Sequence, residues 1–501
     1  MCPIVSERAI GAGPLIRIAA ALAAVFVSMA LSLGLVTDVQ GVAINTILLL
    51  GYLYLECSAL FRCGRRLFWI NPVVVASVFT FILSFGVTNF IYSMPIDILE
   101  ALKLAPAVTP WMNKMMFLVI LAACAMWAGY ASQFATKLAQ KMRQSKPLAK
   151  ILIKSVSVNR SAIYLALGIS VAARLVQISL GVYGYSADYD QLIAGAAYRE
   201  YLSMAESLGK LALVAAAIQC FAPAVPRLKD ILLLLVITLF EVAFGFLGGF
   251  KSQVVMPFIV LAVVHYSQRN RFPRWFIPVV IGSLLLAYAV IEPFRKARVA
   301  DVGFVGTDIA SIASTMATAK SSPSVDMIVV PSPVLSILSR FNLTWIASLG
   351  LEYAETRELP QGSPAFLTNL LLSPAYAVIP RTLWPSKPLE TTGLWYTNEV
   401  MGLDIVSATG MSPFTYLYFA GGTLAVVLGF FMVGVVQRGL FEGLLHFGGG
   451  GMIVFLGLLP FLGNIDSAFN SFFMSIIRYA PALIIAQYFI LDRSSLARKI
   501  N

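Results

Sequence analysis

The chain has 501 residues, 59% of them hydrophobic and only 12% charged, with a formal net charge of +12 and a mean hydropathy of +0.83. A soluble domain of this length cannot hide so much apolar surface, so a water-soluble globular fold is excluded. The positive charge does not point to nucleic acid, because the basic residues lack interleaved aromatics and a soluble domain to present them.

Repeated apolar windows of about 20 residues predict membrane-spanning helices, since a hydrocarbon core of about 30 Å needs that length. The runs do not alternate, which argues against barrel strands. In chain order, twelve spans are expected near 15–36, 41–61, 70–92, 114–134, 161–183, 206–224, 229–249, 252–268, 274–292, 413–437, 444–463 and 471–491. The first run follows Arg8 and Arg17. Its length of about 22 residues reads as a retained anchor rather than a signal peptide.

Lys and Arg recur in every second loop: in "RCGRR" (Arg62–Arg66), through Lys137 to Arg160, at Arg227 and Lys229, in "RNRFPR" (Arg269–Arg274), at Arg438, and in the closing "ARKIN". By the positive-inside rule these loops and both termini face the cytoplasm. Cys2, Cys57, Cys63, Cys124 and Cys220 all fall in spans or on that side, so neither a disulfide nor a thiolate metal site is expected.

The expected organisation is an all-α polytopic protein in three parts: spans one to nine over 1–292, a large outer loop over 293–412, and spans ten to twelve with a tail over 413–501. The outer loop holds two apolar stretches, Val334–Leu351 and Pro364–Ile379, which are short for spans and read as re-entrant or surface-lying helices. A loop of this size with its own helices is more often functional than a connector.

Cations gather on the outer side: Lys251 in "GGFKSQ", Arg295, Lys296 and Arg298 after span nine, Arg340 in "RFNLTW", and Arg381 and Lys387 in "VIPRTLWPSKP"; Arg199 lies in the first long outer loop and Arg478 inside span twelve. Arginine binds phosphate bidentately and stays charged, so such a set suits a lipid-borne anion. Pro380, Pro385 and Pro388 would hold Arg381 and Lys387 with little freedom. Trp384 and Trp395 would anchor the loop at headgroup level or stack on a sugar face. The bland readings are a rigid turn for this motif, interfacial snorkelling for Arg295–Arg298, and a structural pair for Arg174 and Glu241, which lie inside spans five and seven.

"FGFLGGFKSQVVMPFIV", "IPRTLWPSKP" and "SPFTYLYFAGGTLAVVLGFF" carry a resemblance. In these stretches, and in the layout of spans and outer loops, the chain resembles the oligosaccharide repeat-unit polymerases, the O-antigen polymerase (Wzy-type) group. The resemblance has usable motifs over Phe244–Gly434 and matches only in layout before about residue 200. Two departures stand out. Lys251 occupies a turn where the family often has Arg, and Arg199…Gly209 and Arg340…Gly350 have nine intervening residues where some members have ten.

The resemblance implies a GT-C-like, membrane-embedded glycosyltransferase without metal or cofactor. Its substrates would be undecaprenyl-pyrophosphate-linked glycans, its surroundings the lipids of a bacterial inner membrane, and a further partner a chain-length regulator. Fixed cations would stabilise the pyrophosphate leaving group. Arg340, Arg381 and Lys251 are the candidates for that role, with Lys387, Arg295, Arg298, Arg478, Arg199, Trp384 and Trp395 as substrate-binding residues. The related ligases use a histidine in their large loop, whereas His265 and His446 fall near cytoplasmic ends of spans and read as structural. A general base, if one is used, would be a carboxylate: Glu352, Glu355, Glu390, Glu399 or Asp404. A ligase-like transferase and a lipid-linked glycan transporter remain the alternatives.

Overall fold

The structure, a computed structural model, describes residues 13–63, 65–94, 109–152, 158–184, 195–223, 225–249, 251–300, 341–384, 387–388, 392–403, 410–465 and 469–491. Of these, the side chains of residues 13, 65, 66, 196, 197, 200, 288–290 and 292–300 lie outside the description.

Among the described residues the chain is helical, with no strand beyond one isolated bridge, Val158 to Leu491. The helices are α1 (Gly13–Ser32), α2 (Asp38–Cys63), a broken α3 (Pro72–Ser93), α4 (Pro110–Ala131), α5 (Gln133–Arg143), α6 (Lys146–Ile151), α7 (Arg160–Ser179), α8 (Ala196–Phe221), α9 (Leu228–Leu247), α10 (Lys251–Arg269) and α11 (Phe276–Ala300). After the large loop begins they continue as α12 (Thr344–Thr356), α13 (Phe366–Val378), α14 (Pro413–Leu445), α15 (Gly449–Gly463) and α16 (Phe469–Ile490).

Local signals place several starts. Asn71, Ser132, Asn159 and Ser412 each accept a hydrogen bond from a backbone N–H in the first turn of the helix that follows, and Pro72 and Pro413 stand at the first helical position. About two turns into α14 the helix gives way at Gly421 and Gly422, the latter at φ 64, a conformation that favours glycine.

Each of the twelve expected spans falls on a helix. Among the described residues nine of them, α1 to α4, α7 to α9, α14 and α16, are long and apolar enough to cross a membrane. The other three are less clear-cut. Helix α10 carries Lys251 and Arg269 at its ends and Pro257 inside, the apolar part of α11 runs over residues 276–291 before Glu292 and a basic run, and α15 has 15 residues. The chain is a helical membrane protein, and the count of twelve rests on the sequence for these three.

Contacts sort the connections to two ends of the bundle. At one end Arg143 pairs with Glu442 (2.7 Å), Arg160 with Asp230 (2.5 Å) and Arg17 with Glu56 (2.9 Å). There too Trp69 packs against Phe272, the Arg269 guanidinium donates to the Phe221 carbonyl, and the Asn159 N–H donates to the Ile490 carbonyl. These are the connections that the alternation of Lys and Arg groups together. At the other end Tyr92 donates to Asn342, Lys114 meets Glu355, and Tyr201 bonds Thr382. This second end, which carries α12 and α13, is the loop end.

The core is built on α4 against α14. Gly129 and Gly434 let their backbones touch: a methyl group at Gly434 would overlap the Met126 carbonyl, and one at Gly129 the Phe431 carbonyl. Small residues at such crossings permit close packing where lipid offers no hydrophobic drive for association. Gly434→Ala is therefore expected to lower stability by about 1–3 kcal/mol, the range for overpacking. A thermal shift of the purified protein in detergent reads this, with Gly282→Ala, which meets open space, as the silent control.

Candidate active site at the loop end

The segment from Ile379 to Pro388 is a braced loop. Pro380 offers its carbonyl to the backbone N–H of Leu383 (3.0 Å) and of Trp384 (3.1 Å). Arg381 Nη1 donates to the Lys387 carbonyl and Nη2 to the Pro388 carbonyl (2.8 Å), while Lys387 Nζ donates back to the Ile379 carbonyl (3.2 Å). Each cation thus ties the opposite strand of the loop. Lys387 is 4% exposed and acts chiefly as a brace; Arg381 is half-buried. Carbonyl partners orient a guanidinium without neutralising it, and these two bonds use two of its five N–H groups.

The loop is seated low on α16. Tyr376, Ala377 and Trp384 pack against Met474 and Ile477, with Tyr376 and Trp384 rings 5.4 Å apart. The next residue, Arg478, lies about 13 Å along the helix axis from Phe469 at about 1.5 Å per residue, near the middle of a 22-residue helix. A second tie comes from α8, where the Tyr201 hydroxyl and Thr382 Oγ1 share a hydrogen bond of 3.0 Å. The loop that bears Arg381 and Trp384 is therefore held against the stretch of α16 that carries Arg478 and against the outer part of α8; Arg199, two residues before Tyr201, is exposed.

Beneath them a groove of about 370 Å³ runs between α7, α8 and α16, lined by apolar residues such as Ala166, Ile169, Met204, Leu208, Ala482 and Ala486. Arg478 precedes Ala482 by four residues and Tyr201 precedes Ala205 by four, so both stand on the groove-lining faces one turn nearer the loop end.

A second group of polar residues lies on the α4 side. Glu355 of α12 accepts a hydrogen bond from Tyr418 and pairs with Lys114 at 3.7 Å; Glu352, one turn earlier, is half-buried. The start of α12 is pinned by a buried network. Asn342 accepts from Tyr92 (2.8 Å) and donates to Asn89 (2.8 Å), which also accepts from Thr344 (2.6 Å). Between the two groups Trp395 packs on Phe366 and Phe419 at 5.4 and 5.6 Å, so its ring faces protein neighbours. Tyr396 beside it is fully buried, and burial pushes its phenol pKa up; it stays a neutral donor to the Ile346 carbonyl.

Arg174 and Glu241 do form the pair expected between spans five and seven. The guanidinium donates from Nη1 to Oε1 at 2.8 Å and from Nη2 to Oε2 at 2.9 Å, and both groups are buried. Glu206 stands 3.6 Å from Arg174 Nε as a second carboxylate. A methyl group at Gly209 would overlap the Glu241 carboxylate and the Ser170 hydroxyl, so that glycine makes room for the pair.

With this geometry in view, the comparisons are brief. A family model described as a domain of unknown function (DUF8712) matches residues 189–494. The chain belongs to the DUF8712 family. No curated protein and no solved structure matches it. The DUF8712 region takes in α8 to α16, hence Lys251, Arg381, Lys387 and Arg478, and both carboxylates facing Arg174, but not Arg174 itself.

Lys251 opens α10, which packs on α8 and α9 at the loop end. Arg340, Glu390 and Asp404, and the side chains of Arg295 and Arg298, lie outside the described residues. His265 sits at the opposite end, its Nδ1 2.8 Å from the Arg271 carbonyl oxygen. Tyr201, Thr382, Tyr418, Lys114 and Asn342 were not singled out in the sequence. Helical spacing could have placed Tyr201 above Met204 and Leu208, but only once that face was known to line a groove.

Proposed function

We propose that the protein polymerises undecaprenyl-pyrophosphate-linked oligosaccharide repeat units into a surface polysaccharide at the outer face of a bacterial inner membrane. The reading rests on one observation above the rest: a cationic loop, cross-braced by Arg381 and Lys387, is packed through Tyr376 and Trp384 against the stretch of α16 that carries Arg478. Fixed positive charge there stabilises the pyrophosphate that departs as the anomeric carbon of one chain is taken by a hydroxyl of the other. Positioning of two lipid-anchored substrates supplies much of the remaining acceleration. Glu352, or Glu355 with its Tyr418 and Lys114 partners, is the candidate to receive the hydroxyl proton.

A transporter would gather ionised groups where its helices are interrupted. Here the broken helices α3 and α14 carry none at their breaks, while the buried Arg174–Glu241 pair sits on α7 and α9. The reading is tested in the native host by glycan length on a gel. Arg381→Ala or Arg340→Ala is expected to leave single-repeat surface glycan and remove long chains. Loss of the single-repeat species as well would indicate flipping or ligation, and unchanged length would remove these residues from the mechanism.

A further inference from the structure

We propose that α5 lies in the headgroup layer of the membrane, at the end of the bundle where the Lys- and Arg-rich connections gather, and that its Phe134, Lys137 and Lys141 form a docking surface for anionic phospholipid headgroups.

Helix α5 has two unlike sides. Ala135 and Ala139 are buried, and Leu138 and Met142 rest where a methyl group at Gly439 or Gly443 of α14 would overlap them. Phe134, Lys137 and Lys141 follow one another at three and four residues, so they share a face beside the packed one. All three are exposed, Phe134 by 69%. After the turn at Ser145, α6 adds the exposed Lys146 and Lys150.

Depth sets this face against lipid rather than water. Gly439 and Gly443 lie about 9 and 3 Å from the end of α14 at about 1.5 Å per residue, and the chain turns back into the apolar α15 at Gly449. Helix α5 therefore runs level with the last turns of a spanning helix, the depth at which an amphipathic helix buries an aromatic ring and holds lysines among phosphates. Charge chooses the headgroup. Residues 133–160 hold no Asp or Glu. The three described carboxylates at this end, Glu56, Asp230 and Glu442, are already held by Arg17, by Arg160, and by Arg143 with Arg438. Among the described residues none of Lys137, Lys141, Lys146 and Lys150 has an ion pair, which leaves their charge for an outside anion. A count of basic residues is enough to orient a loop, whereas these lysines are also gathered on one face with an exposed ring.

The full-length protein is reconstituted in phosphatidylcholine vesicles doped with phosphatidylglycerol. A photoreactive benzoylphenylalanine replaces Phe134 or, as control, Phe26 on the lipid-facing side of α1, 62% exposed. Folding of every variant is checked by size exclusion. Position 134 is expected to label phosphatidylglycerol at least about fivefold above its share of the bilayer, the worth of one lysine beside an anionic surface. Lys137→Gln with Lys141→Gln is expected to return the labelling to bulk proportion, and so is salt at about 1 M, where charges are screened within about 3 Å. Position 26 should label both lipids in bulk proportion throughout. Bulk-proportion labelling at 134 in the wild-type background, or an excess that outlives the two substitutions, overturns the proposal. So does a position 134 that labels no lipid while position 26 does, which would place α5 in water and give its lysines to a soluble acidic partner.

Discussion

Replacing Arg174 by leucine is expected to cost about 3–5 kcal/mol of stability, the range for breaking a buried ion pair by removing one partner. The change leaves Glu241, 5% exposed, and its neighbour Glu206 in apolar surroundings without the guanidinium that satisfied them. Glu241→Leu should be milder, because Glu206 at 3.6 Å remains to hold the arginine. The double variant Arg174→Leu with Glu241→Leu should recover part of the loss, since apolar replacement of a whole buried pair is often close to neutral. Thermal unfolding of the purified variants in detergent measures the order. Wild-type stability for Arg174→Leu alone would show that the pair carries no structural load.

Arg381→Ala is expected to slow chain extension by about 10²–10³-fold, the range for deleting one preorganised group that stabilises developing negative charge. Initial rates on purified protein give the number, and their form separates two roles. A fall in kcat with KM little changed marks stabilisation of the leaving group, while a rise in KM alone marks ground-state binding. Arg381→Lys should retain little of the rate. An ammonium reaches one of the two carbonyls, at Lys387 or Pro388, and cannot span both as the planar fork does.

Much of the fold was legible because bilayer physics writes itself into composition. Apolar runs marked every span-bearing helix, and the alternating basic loops marked the end at which Arg143 meets Glu442 and Arg160 meets Asp230. Arg174 and Glu241 were legible as a pair because two ionisable groups sunk in apolar runs need each other. Helix interruptions were not: α3 alternates helix types over Pro72–Ser93, and α14 breaks at Gly421–Gly422 inside an unbroken apolar run. The loop was read half-way. Its prolines announced rigidity, but nothing local showed that Lys387 is buried as a brace, because that depends on how the Ile379 carbonyl returns to it. Trp395, read as an interfacial or sugar-stacking ring, packs among Tyr353, Phe366 and Phe419, partners drawn from α12, α13 and α14 that only the tertiary fold assembles.

The central claim is glycan polymerisation by this chain itself. Purified protein in liposomes, given one undecaprenyl-pyrophosphate-linked oligosaccharide and EDTA, is the direct measurement. A ladder of lengthening lipid-linked glycans, with released undecaprenyl pyrophosphate equal to the number of linkages formed and both products lost in Arg381→Ala, is the predicted result. Wild-type protein that is folded in the bilayer yet returns the oligosaccharide unextended, or moves it across the bilayer without joining units, would contradict it.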